Sequence, residues 1–125
     1  MTLDEFNEKW DGSTDQDKNK WIATRIMNWS KVDSGWIKNR SISSEIYHEL
    51  PDYLSYPCLS EVVDEVCYNY ELLIHREKSY GISYAQIGHN LLTPNKRILC
   101  ECTDTFMNIA IAKVVLMFSH GLFAL

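Results

Sequence analysis

Residues 20–29, Lys20-Trp21-Ile22-Ala23-Thr24-Arg25-Ile26-Met27-Asn28-Trp29, set the frame for reading the whole chain. Ile22, Ile26 and Trp29 recur at helical spacing, Trp21 widens the apolar stripe, and Lys20, Thr24, Arg25 and Asn28 lie off it. The expectation is an amphipathic helix running to Trp29 and packed hard against a sheet. Its start is marked by Ser13-Thr14-Asp15-Gln16, a capping-box pattern in which a hydroxyl and a side-chain amide three residues later satisfy free backbone N–H groups reciprocally.

Upstream, Thr2-Leu3-Asp4-Glu5 is a second capping box, and Leu3, Phe6 and Trp10 share one face of a short helix over 2–10 that Asp11-Gly12 stops. Downstream, residues 30–56 hold no sustained period. Asp33-Ser34-Gly35, Ser43-Ser44 and Pro51 punctuate them, and only a short strand near Trp36-Ile37 fits. So long a connection inside a small domain is uncommon, and is either functional or mobile. Beyond it, Leu59, Val62, Val63, Val66, Cys67 and Tyr70 follow helical spacing behind Pro57, with Ser60, Glu61, Asp64, Glu65 and Asn69 on the wet side. Residues 72–76 and 80–87 read as a hairpin from their β-branched and aromatic content, and 96–102 as a third strand. Asp104 or Thr105 is the expected cap of a last helix over 107–118. This segment is apolar nearly all round and so should be buried on both sides.

At 125 residues and 46% hydrophobic content the chain reads as a single domain, with a core over 13–121 and an apolar tail over 122–125. The last helix and this tail present more apolar surface than one chain of this size is expected to cover, which predicts a homo-oligomer formed through them. The helix is too short for a membrane span, which needs roughly 20 apolar residues. Nothing at the N-terminus follows the basic-then-apolar pattern of a secretory signal, so the expected compartment is the cytoplasm. There, Cys58, Cys67, Cys100 and Cys102 would be free thiols.

Three patches together resemble the phage ABA-sandwich domain family. Residues 20–29 are similar to its opening helix, with Asn28 where Gly is usual; Tyr56-Pro57-Cys58-Leu59-Ser60-Glu61-Val62-Val63 resembles its second helix loosely; and residues 97–121 resemble its closing strand and helix. The resemblance spans roughly residues 15–121. It implies an α+β fold, an α-β-α sandwich around a small, mainly antiparallel sheet of three to four strands. It also implies a phage-encoded accessory protein made in the cytoplasm of a host bacterium, and it brings no catalytic residue with it.

The net charge of −5 argues against nucleic acid as the partner, yet residues 18–40 carry a local balance of +5 and the remainder −10. Cys100 and Cys102 alternate onto one strand face, where His75 or His89 could complete a zinc set, but the spacing is not a zinc signature and packing against the last helix is the expected role. Glu61, Asp64 and Glu65 read as the wet side of a helix, and His48 is merely adjacent to Glu49 in sequence. There is no G-x-S-x-G elbow and no Gly-rich phosphate loop, so catalysis is disfavoured and neither metal nor cofactor is expected. What remains is recognition. Arg25, Trp36, Lys38, Arg40 and Tyr47 are the candidate ligand-binding residues, with Trp29 beside them as a core residue of its helix stripe. The leading expectation is a non-enzymatic protein that binds a host factor or an anionic small molecule such as a nucleotide signal to counter bacterial defence. The alternatives are an acidic inhibitor of a host enzyme or nuclease and an enzyme with an unrecognised site.

Overall fold

The computed structural model describes residues 1–39 and 45–123. Helix α1 is Leu3–Asp11, and its capping box is formed by Thr2 and Glu5 as the sequence predicts. Helix α2 is Asp15–Arg25. Its cap sits one residue later than expected: the Thr14 hydroxyl accepts the Asp17 N–H, and the Asp17 carboxylate accepts the Thr14 N–H. Ser13 instead donates its hydroxyl to the Lys9 carbonyl at the end of α1.

The helix also ends earlier than its apolar stripe. Asn28 has φ +60, a left-handed conformation that asparagine tolerates better than most residues and that a right-handed helix excludes. Trp29 therefore opens strand β1 (Trp29–Val32), which turns at Asp33-Ser34 and pairs antiparallel with β2 (Gly35–Lys38). The connection expected to hold only a short strand near Trp36-Ile37 thus begins as a two-stranded hairpin. Tyr47 then returns to pair with Trp36 as an isolated antiparallel bridge.

Helix α3 (Cys58–Val66) buries Leu59 and Val62, with Val63, Val66 and Cys67 against the core at its edge. Strands β3 (Glu71–Glu77), β4 (Ile82–His89) and β5 (Arg97–Asp104) form an antiparallel sheet in the order β3-β4-β5. Side chains alternate between faces in a strand, so register decides which residues meet. One face carries the rows Ile74, Ala85, Cys102 and Leu72, Ile87, Cys100 into the core.

Helix α4 (Met107–Ser119) covers that face. Its N-cap is Phe106, whose ring has no acceptor to offer the helix, and neither expected residue caps it: the Asp104 carboxylate accepts the Thr105 N–H instead. Seven α4 residues are buried: Ala110, Ile111, Ala112, Val114, Val115, Leu116 and Met117. The sheet lies on one side of the helix, and α2 and α3 on the other.

The α+β class and the three-stranded antiparallel sheet are as expected. Helix α4 packs between the sheet and the helices α2 and α3, while Tyr84 and Glu101 on the far face of the sheet are exposed. An antiparallel sheet tolerates one wet face because its buried side chains all point the other way. The all-round apolar character of α4 is satisfied within one chain, so the helix itself does not require a second copy. Among the described residues, no helix is long and apolar enough to cross a membrane.

Candidate functional site

The β1–β2 hairpin brings two lysines and two tryptophans onto one face. Residues directly opposite in an antiparallel pair share a face, and the partners here are Trp29 with Lys38 and Lys31 with Trp36. The Lys31 Nζ lies 5.2 Å from the centre of the Trp36 ring and the Lys38 Nζ 5.9 Å from that of Trp29. Both are within reach of the attraction between an ammonium and an aromatic face. The rings are buried, and the ammonium groups cap them.

Tyr47 extends this face. Trp36 and Tyr47 exchange two backbone hydrogen bonds of 2.7 and 2.8 Å, and the Tyr47 ring stands edge-on to Trp29 at 5.3 Å. The ring stays substantially exposed. Its hydroxyl donates to the Glu45 carboxylate at 3.2 Å, and this bond together with the Glu45 charge raises the phenol pKa.

Helix α2 holds the assembly from behind. Asn19 accepts the Tyr53 backbone N–H at 2.8 Å through Oδ1 and donates to the Pro51 carbonyl at 2.9 Å through Nδ2, fixing the loop that carries Tyr53. The Trp29 indole N–H donates in turn to the Tyr53 hydroxyl at 2.8 Å. Burial pushes the Tyr53 phenol pKa up, and the bond from Trp29 acts in the opposite direction. The chain from Asn19 through Tyr53 to Trp29 therefore orients an indole of the face through a fully buried hydroxyl.

Beside the hairpin, a polar cleft of about 350 Å³ opens between α2 and residues 48–50, with Gln16, Lys20, Trp36, His48 and Glu49 among its walls. Trp36 belongs to both features, lying under Lys31 on the hairpin and lining the cleft. No family model, curated protein or solved structure matches this chain.

Of the residues expected from sequence, Trp36, Lys38 and Tyr47 come together here. Trp29 joins them as a strand residue and Lys31 as the second cation. Arg25 does not: its Nη2 donates to the Ser119 carbonyl at 2.8 Å, at the end of α4. Arg40 lies outside the described residues. Lys20, His48 and Glu49 converge only through the fold, and no spacing in the sequence brings them together. The hairpin itself has a sequence signal, two four-residue runs with Trp and Lys in alternation about a two-residue turn.

The other constellations fall elsewhere. Cys100 and Cys102 pack against α4, where the Cys102 thiol donates to the Ala110 carbonyl at 3.2 Å. Burial pushes both thiols up to about 12, far from the thiolate that a zinc ion needs. Glu61, Asp64 and Glu65 lie exposed on α3. Among the described residues, no group of three or more His, Cys, Asp or Glu side chains is placed to hold a metal.

Proposed function

We propose that this chain is a non-enzymatic binding protein whose hairpin face and adjoining cleft take an anionic small molecule bearing a planar ring. The observation that carries this reading is the cross-strand placement of Lys31 over Trp36 and Lys38 over Trp29 at the rim of a polar cleft. Lysines are compact, mobile charges suited to phosphate or carboxylate, and the exposed Tyr47 ring supplies a stacking surface. The cleft volume lies at the small end of the range for ligand pockets, roughly 300–1,000 Å³.

The biological setting rests on the resemblance to the phage ABA-sandwich domain family: an accessory protein in the host bacterial cytoplasm, binding a defence signal or a host factor. The conformation of Asn28 supports it. At the position where that family usually carries Gly, Asn28 has φ +60, a conformation that glycine adopts freely.

Native mass spectrometry and calorimetric titration against cyclic nucleotides and ADP-ribose derivatives test the reading. One of these ligands is expected to bind, and Lys31→Gln with Lys38→Gln should weaken it roughly tenfold or more per lysine, the ordinary worth of a charge-assisted contact. Absence of any bound ligand, or equal affinity in the double variant, would count against it. Self-association, if it occurs, would use the apolar surface left around α4, where Phe106, Met107 and Phe123 remain exposed. Light scattering at micromolar concentration should then give more than the mass of one chain, and Phe106→Ser should lower it; a single-chain mass would exclude the oligomer.

A further inference from the structure

Helix α1 joins the rest of the molecule at an aromatic corner built from α1, α2 and the end of α4. Phe6 and Trp10 are both buried, and the Phe6 ring lies 5.0 Å from Trp21 of α2 and 6.2 Å from the imidazole of His120 at the C-cap of α4. The Trp21 indole N–H donates to His120 Nε2 at 3.1 Å. Accepting that bond requires a lone pair on Nε2, so the corner selects the neutral imidazole with its proton on Nδ1.

Cations lie over the rings of this corner. From α1, the Lys9 Nζ sits 4.1 Å from the centre of the Trp21 ring, and Lys18 of α2 caps Trp10 at 4.8 Å. Burial, followed by the charges of Arg25, Lys9 and the chain amine, holds the His120 pKa below its ordinary value. The carboxyl end of a helix usually favours an imidazolium, but here Arg25 already donates to the Ser119 carbonyl.

We propose that His120 is a proton-sensitive latch, and that protonating it releases α1 from the corner formed by α2 and α4. The imidazolium presents an N–H where the Trp21 indole N–H needs an acceptor, and it adds a positive charge among Lys9, Arg25 and the chain amine. Of the three elements α1 gives way first. It is nine residues long, carries Lys9 and follows directly on the chain amine, whereas α4 is locked between the sheet and its neighbouring helices. A helix this short does not persist on its own in water, so release means local unfolding and exposure of the Trp21 ring.

The neutral imidazole belongs to the folded corner. Its stabilisation is therefore fully present above the ordinary histidine pKa of about 6.5, and it is lost as the pH falls through that value toward the lower folded one. Amide hydrogen exchange of residues 1–12, corrected for intrinsic rates and compared with β4 at about pH 7.5 and 5.0, tests this. In the native protein, protection of α1 should fall about three- to tenfold at the lower pH, the worth of one hydrogen bond, with β4 unchanged. His120→Gln, whose amide oxygen can still accept from the indole, should keep α1 protected at both values. Unchanged protection in the native protein, or an equal loss in His120→Gln, would overturn the proposal. Should that variant fail to fold, the Trp21 indole N–H resonance of the native protein decides. It should move with a midpoint below about 6.5, and a resonance that stays fixed down to pH 5 would sink the latch.

Discussion

Leu116→Ala is expected to lower the unfolding free energy by about 3–5 kcal/mol, the upper part of the range for truncating a buried leucine. Leu116 is completely inaccessible, and it sits on the element that forms the middle layer of the molecule. The cost of such a truncation depends on how far the surroundings can close over the space left behind. A helix on the outside of a domain can shift inward, but α4 has the sheet on one side and α2 and α3 on the other, and a shift toward either layer opens a gap against the opposite one. Met107→Ala, at an exposed position in the first turn of the same helix, should change stability by no more than about 0.5 kcal/mol. Urea unfolding of both variants checks the contrast. A loss below about 1 kcal/mol for Leu116→Ala would mean that α4 is not held from both sides.

The apolar pattern of residues 107–118 shows why the layering was only half legible. A segment apolar all round announces burial on both sides, but not which element covers each side, and a second copy of the chain satisfied the pattern as well as α2, α3 and the sheet do. Strand β4 held a better signal. Ser83, Ala85 and Ile87 are buried while Tyr84 between them is exposed, which is the alternation of a sheet with one wet face rather than one enclosed by helices. Trp29 is the sharper case, since it completes a helical stripe with Ile22 and Ile26 and equally well begins the alternation Trp29, Lys31 in β1. Periodicity cannot choose between these readings; the left-handed turn at Asn28 does. Once the strand is known, the two-residue turn at Asp33-Ser34 dictates that Trp29 faces Lys38 and Lys31 faces Trp36, so half of the candidate site follows from local chemistry. The other half is non-local. Tyr47, Tyr53, His48 and Asn19 reach the hairpin through contacts that no spacing in the sequence encodes.

Gly35→Ala should test that non-local half, with an expected cost of about 2–3 kcal/mol and a matching loss of the candidate face. Gly35 has φ +155, which L side chains rarely adopt, and a Cβ added there would collide with the Tyr47 carbonyl and crowd the Ile46 side chain. The substitution therefore strains the hairpin and drives residues 46–47 away from it at the same time. Conformational strain alone is isolated by Gly81→Ala, where φ is +63 but an added Cβ meets nothing within 4 Å, so a cost of about 1 kcal/mol is expected. The excess at Gly35 reports the close approach of the Tyr47 chain. Loss of the edge-on contact between Tyr47 and Trp29 should also alter the near-ultraviolet circular dichroism, and ligand affinity should fall although Lys31 and Lys38 are untouched. If Gly35→Ala costs no more than Gly81→Ala, the Tyr47 segment does not press on β2. The proposed site would then reduce to two lysines over buried indoles, without the exposed ring on which a planar ligand is expected to stack.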